Sequence, residues 1–314
     1  MNQIDVLPDD VLLGIFDFYV EMRLWCESDL GTEAWQSLVH VCRRWRSLVF
    51  QSPRRLNLRL VCTPERSIKD TQDIWPPLPL VAGFVDVSRS MDNIIATLGQ
   101  SICVCEIILA DLVDWQLEKV LAAMQVPFPE LTDLHLICRG TAPDIPVPDS
   151  FLGGSAPTLR HFSLSGIPFP GLSKLLLSTN HLVNLELSDI PHSGYISPEA
   201  IVALISVLSS LETLSIDFES PQSFPGSESR SLPPPKRSIL LALNELHFRG
   251  VTEYLEELMS HIDIPQLNLL RIAFFNQIDF DCPRLAQIIN CSPTLMALDE
   301  ARVEFSDSTA SVKL

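Results

Sequence analysis

The chain has 314 residues, of which 46% are apolar, and its formal net charge at pH 7 is −17. This apolar content is ordinary for a folded protein and too high for a disordered one. The negative charge argues against nucleic-acid binding, which needs a basic surface. The longest apolar stretch, residues 200–208, is far shorter than the ~20 residues of a membrane span, and the N-terminus lacks a signal peptide. We therefore expect an intracellular protein, cytoplasmic, nuclear or both.

The sequence offers no pattern that is typical of catalysis. Its eight cysteines are scattered without a C-x-x-C pair, which favours free thiols in a reducing compartment over disulfides or metal ligands. Phosphate-binding glycine loops, the nucleophile elbow and the H-E-x-x-H motif are all absent from the sequence. We therefore predict a protein that is not an enzyme and that has neither a cofactor nor a metal site.

Residues 1–62 predict a small helical domain. Pro8 suits an early helical position and the following aspartates favour a helix start. The apolar residues of this helix, at spacings i, i+3, i+4 and i+7, are predicted to form one face; they are Leu12, Ile15, Phe16 and Tyr19. A second helical stretch begins near Glu33 and ends at Pro53. A domain this small buries little surface by itself, so we expect it to lean on something larger.

The order of these motifs resembles an F-box: Leu7-Pro8-Asp9-Asp10, then an aliphatic helix, then Val41-Cys42-Arg43-Arg44-Trp45. The resemblance implies a three-helix module that binds the Skp-type adaptor of an SCF ubiquitin ligase, and through it a cullin. The residues that it implies for adaptor binding are Leu7, Pro8, Ile15, Phe16, Val41, Cys42 and Trp45. Further runs at residues 52–64, 73–79 and 274–280 are similar to mushroom-type fungal F-box proteins.

Residues 63–314 contain a recurring apolar-x-x-apolar-x-apolar pattern. The copies begin at Val104, Leu131, Leu159, Leu182, Leu211, Leu243 and Leu267, and Leu295/Leu298 starts an eighth. Most copies lie about 20–29 residues apart, which is the period of leucine-rich repeats. Helical periodicity follows at residues 115–124, 198–208, 253–262 and 283–289. The predicted fold is therefore α/β: the helical head followed by an irregular leucine-rich-repeat solenoid with a curved parallel sheet.

Residues between the leucines on each strand are predicted to point outward. The central outward residues are His135, Ser163, Glu186, Ser215, His247 and Arg271, and we take them as the candidate substrate-binding set. Residues 219–238, rich in Ser and Pro, predict a surface loop. The repeat pattern stops near Val303 and Phe305 without a clear polar cap. The two alternatives are a short improvised cap and a truncated form of a longer protein; the second, which we favour, predicts an exposed apolar edge after about residue 300.

The favoured hypothesis is a substrate-recognition adaptor of an SCF-type ligase, in which the head binds the Skp-type adaptor and the repeats bind an unknown target protein. The alternative is a leucine-rich-repeat interaction scaffold outside any ligase, with the head serving only as the N-terminal cap. Burial distinguishes the two: a cap would hide Leu7, Ile15, Phe16 and Trp45 together, whereas a docking module leaves apolar side chains exposed.

Overall fold

The computed structural model describes residues 7–24, 34–84, 90–139, 145–168, 172–220, 237–275, 282–292, 295, 302–305 and 309–313. The chain divides into two compact units, residues 1–109 and 110–314. Most of the predicted loop 219–238, residues 276–280 and Leu298 of the eighth repeat copy lie outside the described residues. No helix in the described ranges has the length and apolar character that crossing a membrane requires.

The first unit begins with three helices and continues with short strands. Its helices are α1 (Asp9–Leu24), α2 (Ala34–Val39), α3 (Arg43–Gln51), α4 (Ile68–Gln72) and α5 (Asp92–Leu98). The strands β1 (Leu60–Cys62), β2 (Leu80–Phe84) and β3 (Val104–Leu112) pair in parallel in that order. The parallel strands β1 and β2 precede the first predicted repeat copy and were not predicted.

The second helical stretch was predicted to run unbroken from near Glu33 to Pro53. That prediction was wrong, because the structure divides it into α2 and α3. The chain turns after α2, where the amides of His40 and Val41 bond back to the carbonyls of Ser37 and Leu38 at 3.3 Å each. Cys42 is extended, with φ −158° and ψ 170°, and α3 begins at the next residue. The extended cap residue turns the chain into α3, so that the head has three helices.

The second unit alternates strands with helices. Its strands are β4 (Asp133–Cys138), β5 (His161–Ser165), β6 (Asn184–Ile190), β7 (Thr213–Phe218), β8 (Ser238–Ile239), β9 (Glu245–Gly250), β10 (Ile262–Asp263), β11 (Leu269–Phe275), β12 (Arg302–Phe305) and β13 (Thr309–Lys313). Its helices are α6 (Asp114–Ala123), α7 (Leu172–Leu176), α8 (Pro198–Ile205), α9 (Thr252–His261) and α10 (Pro283–Cys291).

Six of these strands form a parallel sheet in the order β4-β5-β6-β7-β9-β11. Strand β13 then pairs with β11 in antiparallel direction, and β12 pairs with β13. The predicted strand at Val303 and Phe305 is present as β12, but the intervening β13 was not predicted. Strands β8 and β10 pair separately.

The pattern leucines supply the core of the second unit. Leu134, Leu136 and Leu246 are fully buried, and the equivalent residues of β5, β6, β7 and β11 are at most 3% exposed. The strand ends repeat a second feature: Gly166 and Asp189 have positive φ values of 68° and 48° and each precedes a buried isoleucine. Strands β4, β6, β7, β9 and β11 therefore place one set of side chains in the core and most of the alternate set on the opposite face.

Candidate functional site

Helix α1 carries apolar residues on two adjacent sides. Leu12 and Phe16 are buried, with Phe16 0% exposed. Ile15, which the sequence placed on the same face, is 47% exposed, so that grouping was wrong. When apolar residues occupy most of the circumference of a helix, an i, i+3, i+4 pattern does not show which of them face the core. The side of Leu12 and Phe16 packs inward, and Ile15 belongs to the other side.

The exposed side of α1 is a continuous apolar stripe. Its members follow one another at three- or four-residue steps, which places them along one helical face; they are Pro8, Val11, Ile15 and Phe18, named here the docking stripe. Phe18 is 68% exposed and Val11 43%. Contiguous exposed apolar residues on a folded protein commonly mark a protein-binding surface. The docking stripe therefore has the character of an interface without its partner.

Polar contacts fix the start of α1 against the start of α3. The Arg44 guanidinium donates from Nη2 to the Leu7 carbonyl oxygen at 2.5 Å and to Asp9 Oδ1 at 2.6 Å, with Nε at 3.1 Å from the same carboxylate oxygen. Asp9 also lies in the first turn of α1, where a negative charge is favoured. These bonds bring Pro8 into the same corner as the α2–α3 turn.

Aromatic packing joins the two helices further along. The rings of Phe16 and Trp45 lie with centroids 4.7 Å apart at 58°, and Trp45 remains half-buried. In the turn before α3, Val41 is 58% exposed and Cys42 is exposed. The corner beside the docking stripe therefore presents a further apolar side chain and a thiol to solvent.

The predicted adaptor-binding residues thus fall into two groups. Pro8, Ile15, Val41 and Cys42 are exposed, whereas Leu7 and Trp45 are half-buried and Phe16 has no exposed surface. Any part that Phe16 plays in binding is indirect, through the position of α1. Sequence reasoning missed Val11 and Phe18; their three- and four-residue steps from Ile15 were the available signal.

Comparison with known families agrees with this geometry. The model of the F-box-like family matches residues 4–59. Residues 4–59 are an F-box-like domain. A search of curated proteins gave no match to the chain. The match covers α1, α2 and α3 and ends immediately before β1, so it includes the docking stripe and the α2–α3 turn.

A second aromatic group anchors the F-box-like domain within the first unit. Trp35, 2% exposed, has ring centroids 6.0 Å from Phe50 and 5.0 Å from Trp75. Its Nε1 donates to the Arg59 carbonyl oxygen at 3.2 Å. Trp35 is therefore a core residue of the first unit and takes no part in the docking stripe.

In the second unit, the six candidate substrate-binding residues occupy equivalent positions on neighbouring strands. Strand register pairs them in succession across β4, β5, β6, β7, β9 and β11. We name this the central row: His135, Ser163, Glu186, Ser215, His247 and Arg271. Glu186 and Arg271 are exposed and Ser163 is buried. Its members therefore form one line across the sheet.

Ion pairs surround the central row. Asp133 accepts from His161 Nδ1 at 2.5 Å, and Arg249 Nη1 lies 3.5 Å from Asp217 Oδ1. Burial raises the pKa of Asp217 to about 6 in spite of Arg249. Burial also lowers the pKa of His135, although nearby carboxylates oppose that shift. In the described ranges, no three His, Cys, Asp or Glu side chains form a group that could hold a metal ion.

Proposed function

We propose that this protein is a substrate-recognition subunit of an SCF-type ubiquitin ligase. The F-box-like domain binds a Skp-type adaptor, which links it to a cullin, and the second unit binds a target protein. The observation that carries the proposal is the docking stripe, because an apolar face on a helix already packed on its other side is what a docking module needs. The chain itself supplies no chemical step, since ubiquitin is transferred by other subunits and held near its acceptor lysines by proximity.

We propose further that the strands and helices of the second unit are irregular leucine-rich repeats. The support is the recurrence of one pattern: an apolar residue before each strand, two buried residues within it and, in several copies, a helix after it. Neighbouring units of this kind bury the apolar surface that one unit cannot bury alone. The side chains between the leucines then remain available for a target. We place the protein in the cytoplasm, the nucleus or both, where such ligases work.

The experiment measures binding of a purified Skp-type adaptor to the full chain by calorimetry. Ile15 and Phe18 are 47% and 68% exposed, so both still have surface to bury. Replacing either residue with alanine should therefore cost about 1–2 kcal/mol of binding free energy, which weakens the affinity for the adaptor by about 5- to 30-fold. The matched control replaces Ile239 and Leu241, exposed apolar residues of the second unit, and should leave affinity unchanged. Affinity of Ile15→Ala/Phe18→Ala within twofold of the parent chain would refute the proposal.

A scaffold in which the head only caps the repeats is the competing function. It is favoured by the burial of Trp35 against Trp75, which ties the F-box-like domain to the strand-bearing part of the first unit. The same titration separates the two hypotheses, because a cap has no reason to bind a Skp-type adaptor at all. A chain that is folded but shows no adaptor binding would favour the scaffold.

A further inference from the structure

The central row has its charges sorted along its length. Glu186 lies on β6, and Ser215, His247 and Arg271 take the aligned positions on β7, β9 and β11. The alignment continues beyond Arg271 through Lys313 of β13 and then Arg302 of β12. Three consecutive basic positions at one end of a row are unusual in a chain whose net charge is −17. The row therefore runs from an acidic centre to a basic end.

The acidic centre lacks a fixed cation. Among the described residues, Glu186 accepts a hydrogen bond from the Ser188 hydroxyl at 3.3 Å and interacts electrostatically with His135 and, as a like charge, with Asp217. Burial lowers the pKa of His135, which favours the neutral form of that ring. The carboxylates on either side differ: Asp133 accepts from His161, and Asp217 pairs with Arg249. Among the residues of the central row, Glu186 is the acid, and it is exposed to a partner's cation.

Small neighbours leave room at Glu186. The aligned residues on both adjacent strands are serines, Ser163 and Ser215, and Ser163 is only 6% exposed. A long side chain of a partner can therefore approach the exposed Glu186 carboxylate from the β7 side, where Ser215 is half-buried, whereas Ser163 on the β5 side is covered. The Ser215 hydroxyl adds a hydrogen-bonding group beside the same carboxylate.

The basic end of the central row is suited to an acidic residue of a partner. Arg271 is exposed, and the positions aligned with it on β13 and β12 are those of Lys313 and Arg302. An exposed guanidinium can pair with a partner's carboxylate. Glu245, which is half-buried, is aligned with Leu269, two residues before Arg271. Glu245 lies on the neighbouring row, so the end of the central row remains basic.

We propose that the central row binds an extended peptide segment of the target protein, with a basic residue over Glu186 and an acidic residue four positions away over Arg271. The two positions are three strand spacings apart, about 14 Å. Four residues of extended chain span about 13 Å, and residues four apart point to the same side. The peptide crosses the strands, and its intermediate residue lies over Ser215 and His247. This inference rests on the proposed target-binding role of the second unit and specifies its ligand.

Selection from a displayed library of random 12-residue peptides tests the charge pattern on the full chain. The charge-swapped variant Glu186→Arg/Arg271→Glu keeps the net charge and inverts the row. A matched control, Glu118→Lys/Lys119→Glu, makes a similar exchange at two exposed residues of α6. The parent chain and the control should both enrich peptides with one order of basic and acidic residues four apart, and the swapped variant should enrich the opposite order.

Single substitutions then measure the contribution of each end. A peptide selected on the parent chain should bind about 2- to 5-fold more weakly to Arg271→Gln and to Glu186→Gln, as expected for exposed ion pairs. Its charge-reversed version should regain affinity on the swapped variant. Enrichment of the same peptides by the parent and swapped chains, or no enrichment by the parent chain, would overturn the inference. Adaptor binding by the F-box-like domain, measured in parallel, should stay unchanged in all variants, so a failure here is distinguishable from a failure of the proposed function.

Discussion

Replacing Phe16 with alanine should lower the free energy of unfolding of the F-box-like domain by about 3–5 kcal/mol. Phe16 has no exposed surface and its ring packs on Trp45, so truncation loses the full transfer free energy of the side chain and leaves a cavity between α1 and α3. This is a large part of the ~5–15 kcal/mol that stabilises a typical domain. Urea unfolding followed by tryptophan fluorescence measures the change, because Trp45 lies against the altered site.

The neighbouring substitution Ile15→Ala is the control for that measurement. Ile15 lies on the adjacent, exposed side of the same helix and is half-exposed, so its truncation opens no cavity and should cost less than about 1 kcal/mol. The two substitutions therefore separate the inward side of α1 from the docking stripe. Equal destabilisation by Ile15→Ala and Phe16→Ala would show that the two sides of α1 are not distinct, and the reasoning would fail.

Three further predictions concern the second unit, and one of them has its control substitution in α1. Glu256→Gln should destabilise the protein by about 1 kcal/mol, because this carboxylate accepts hydrogen bonds from the first two amides of α10 at 2.9 and 3.0 Å. In the same thermal melts Glu118→Gln, at an exposed position in the middle of α6, should be neutral. Gly166→Ala should lower the free energy of unfolding by more than about 1 kcal/mol, because φ is +68° and an added Cβ would lie 2.5 Å from a β4 carbonyl oxygen. Its control, Gly14→Ala, has open space around the added Cβ and should stabilise α1. Equal effects of the two substitutions would contradict this reasoning. Burial raises the pKa of Asp217 to about 6 from 3.8. The contribution of this group to the free energy of unfolding is therefore present at low pH and lost as pH rises through about 6. Asp217→Asn should reduce the fall in stability to urea between pH 5 and pH 7, and an unchanged pH dependence would refute this prediction.

The core of the second unit could be predicted from the sequence because its signal is local and repeated. A leucine two residues from another, as in Leu134 and Leu136, places both on one face of a strand, and seven copies that begin 23 to 32 residues apart reinforce one another. The helix start at Ser197-Pro198 was similarly readable: the Ser197 side chain accepts from the Ala200 amide at 3.3 Å. The alignment of the central row follows from the same repeat pattern, once the strands are parallel.

The docking stripe could be predicted only in part. Helix α1 is apolar around most of its circumference, so periodicity does not decide whether Phe16 or Phe18 faces inward; contacts with Trp45 and Arg44 decide it, and these lie far along the chain. The break after α2 carries no Gly or Pro, so nothing local predicts it. It depends on the extended backbone at Cys42, together with a side-chain bond from Arg46 Nε to the Val39 carbonyl oxygen at 3.0 Å.

Thiol labelling of Cys42 tests the central claim most directly. Cys42 is exposed at the corner beside the docking stripe, and Cys103, before β3, is also exposed and serves as an internal control. Site-by-site mass spectrometry should find both thiols reactive in the free chain. With a saturating Skp-type adaptor, Cys42 should become protected while Cys103 stays reactive, and the Ile15→Ala/Phe18→Ala variant should lose that protection. An adaptor that binds and leaves Cys42 fully reactive would contradict the account.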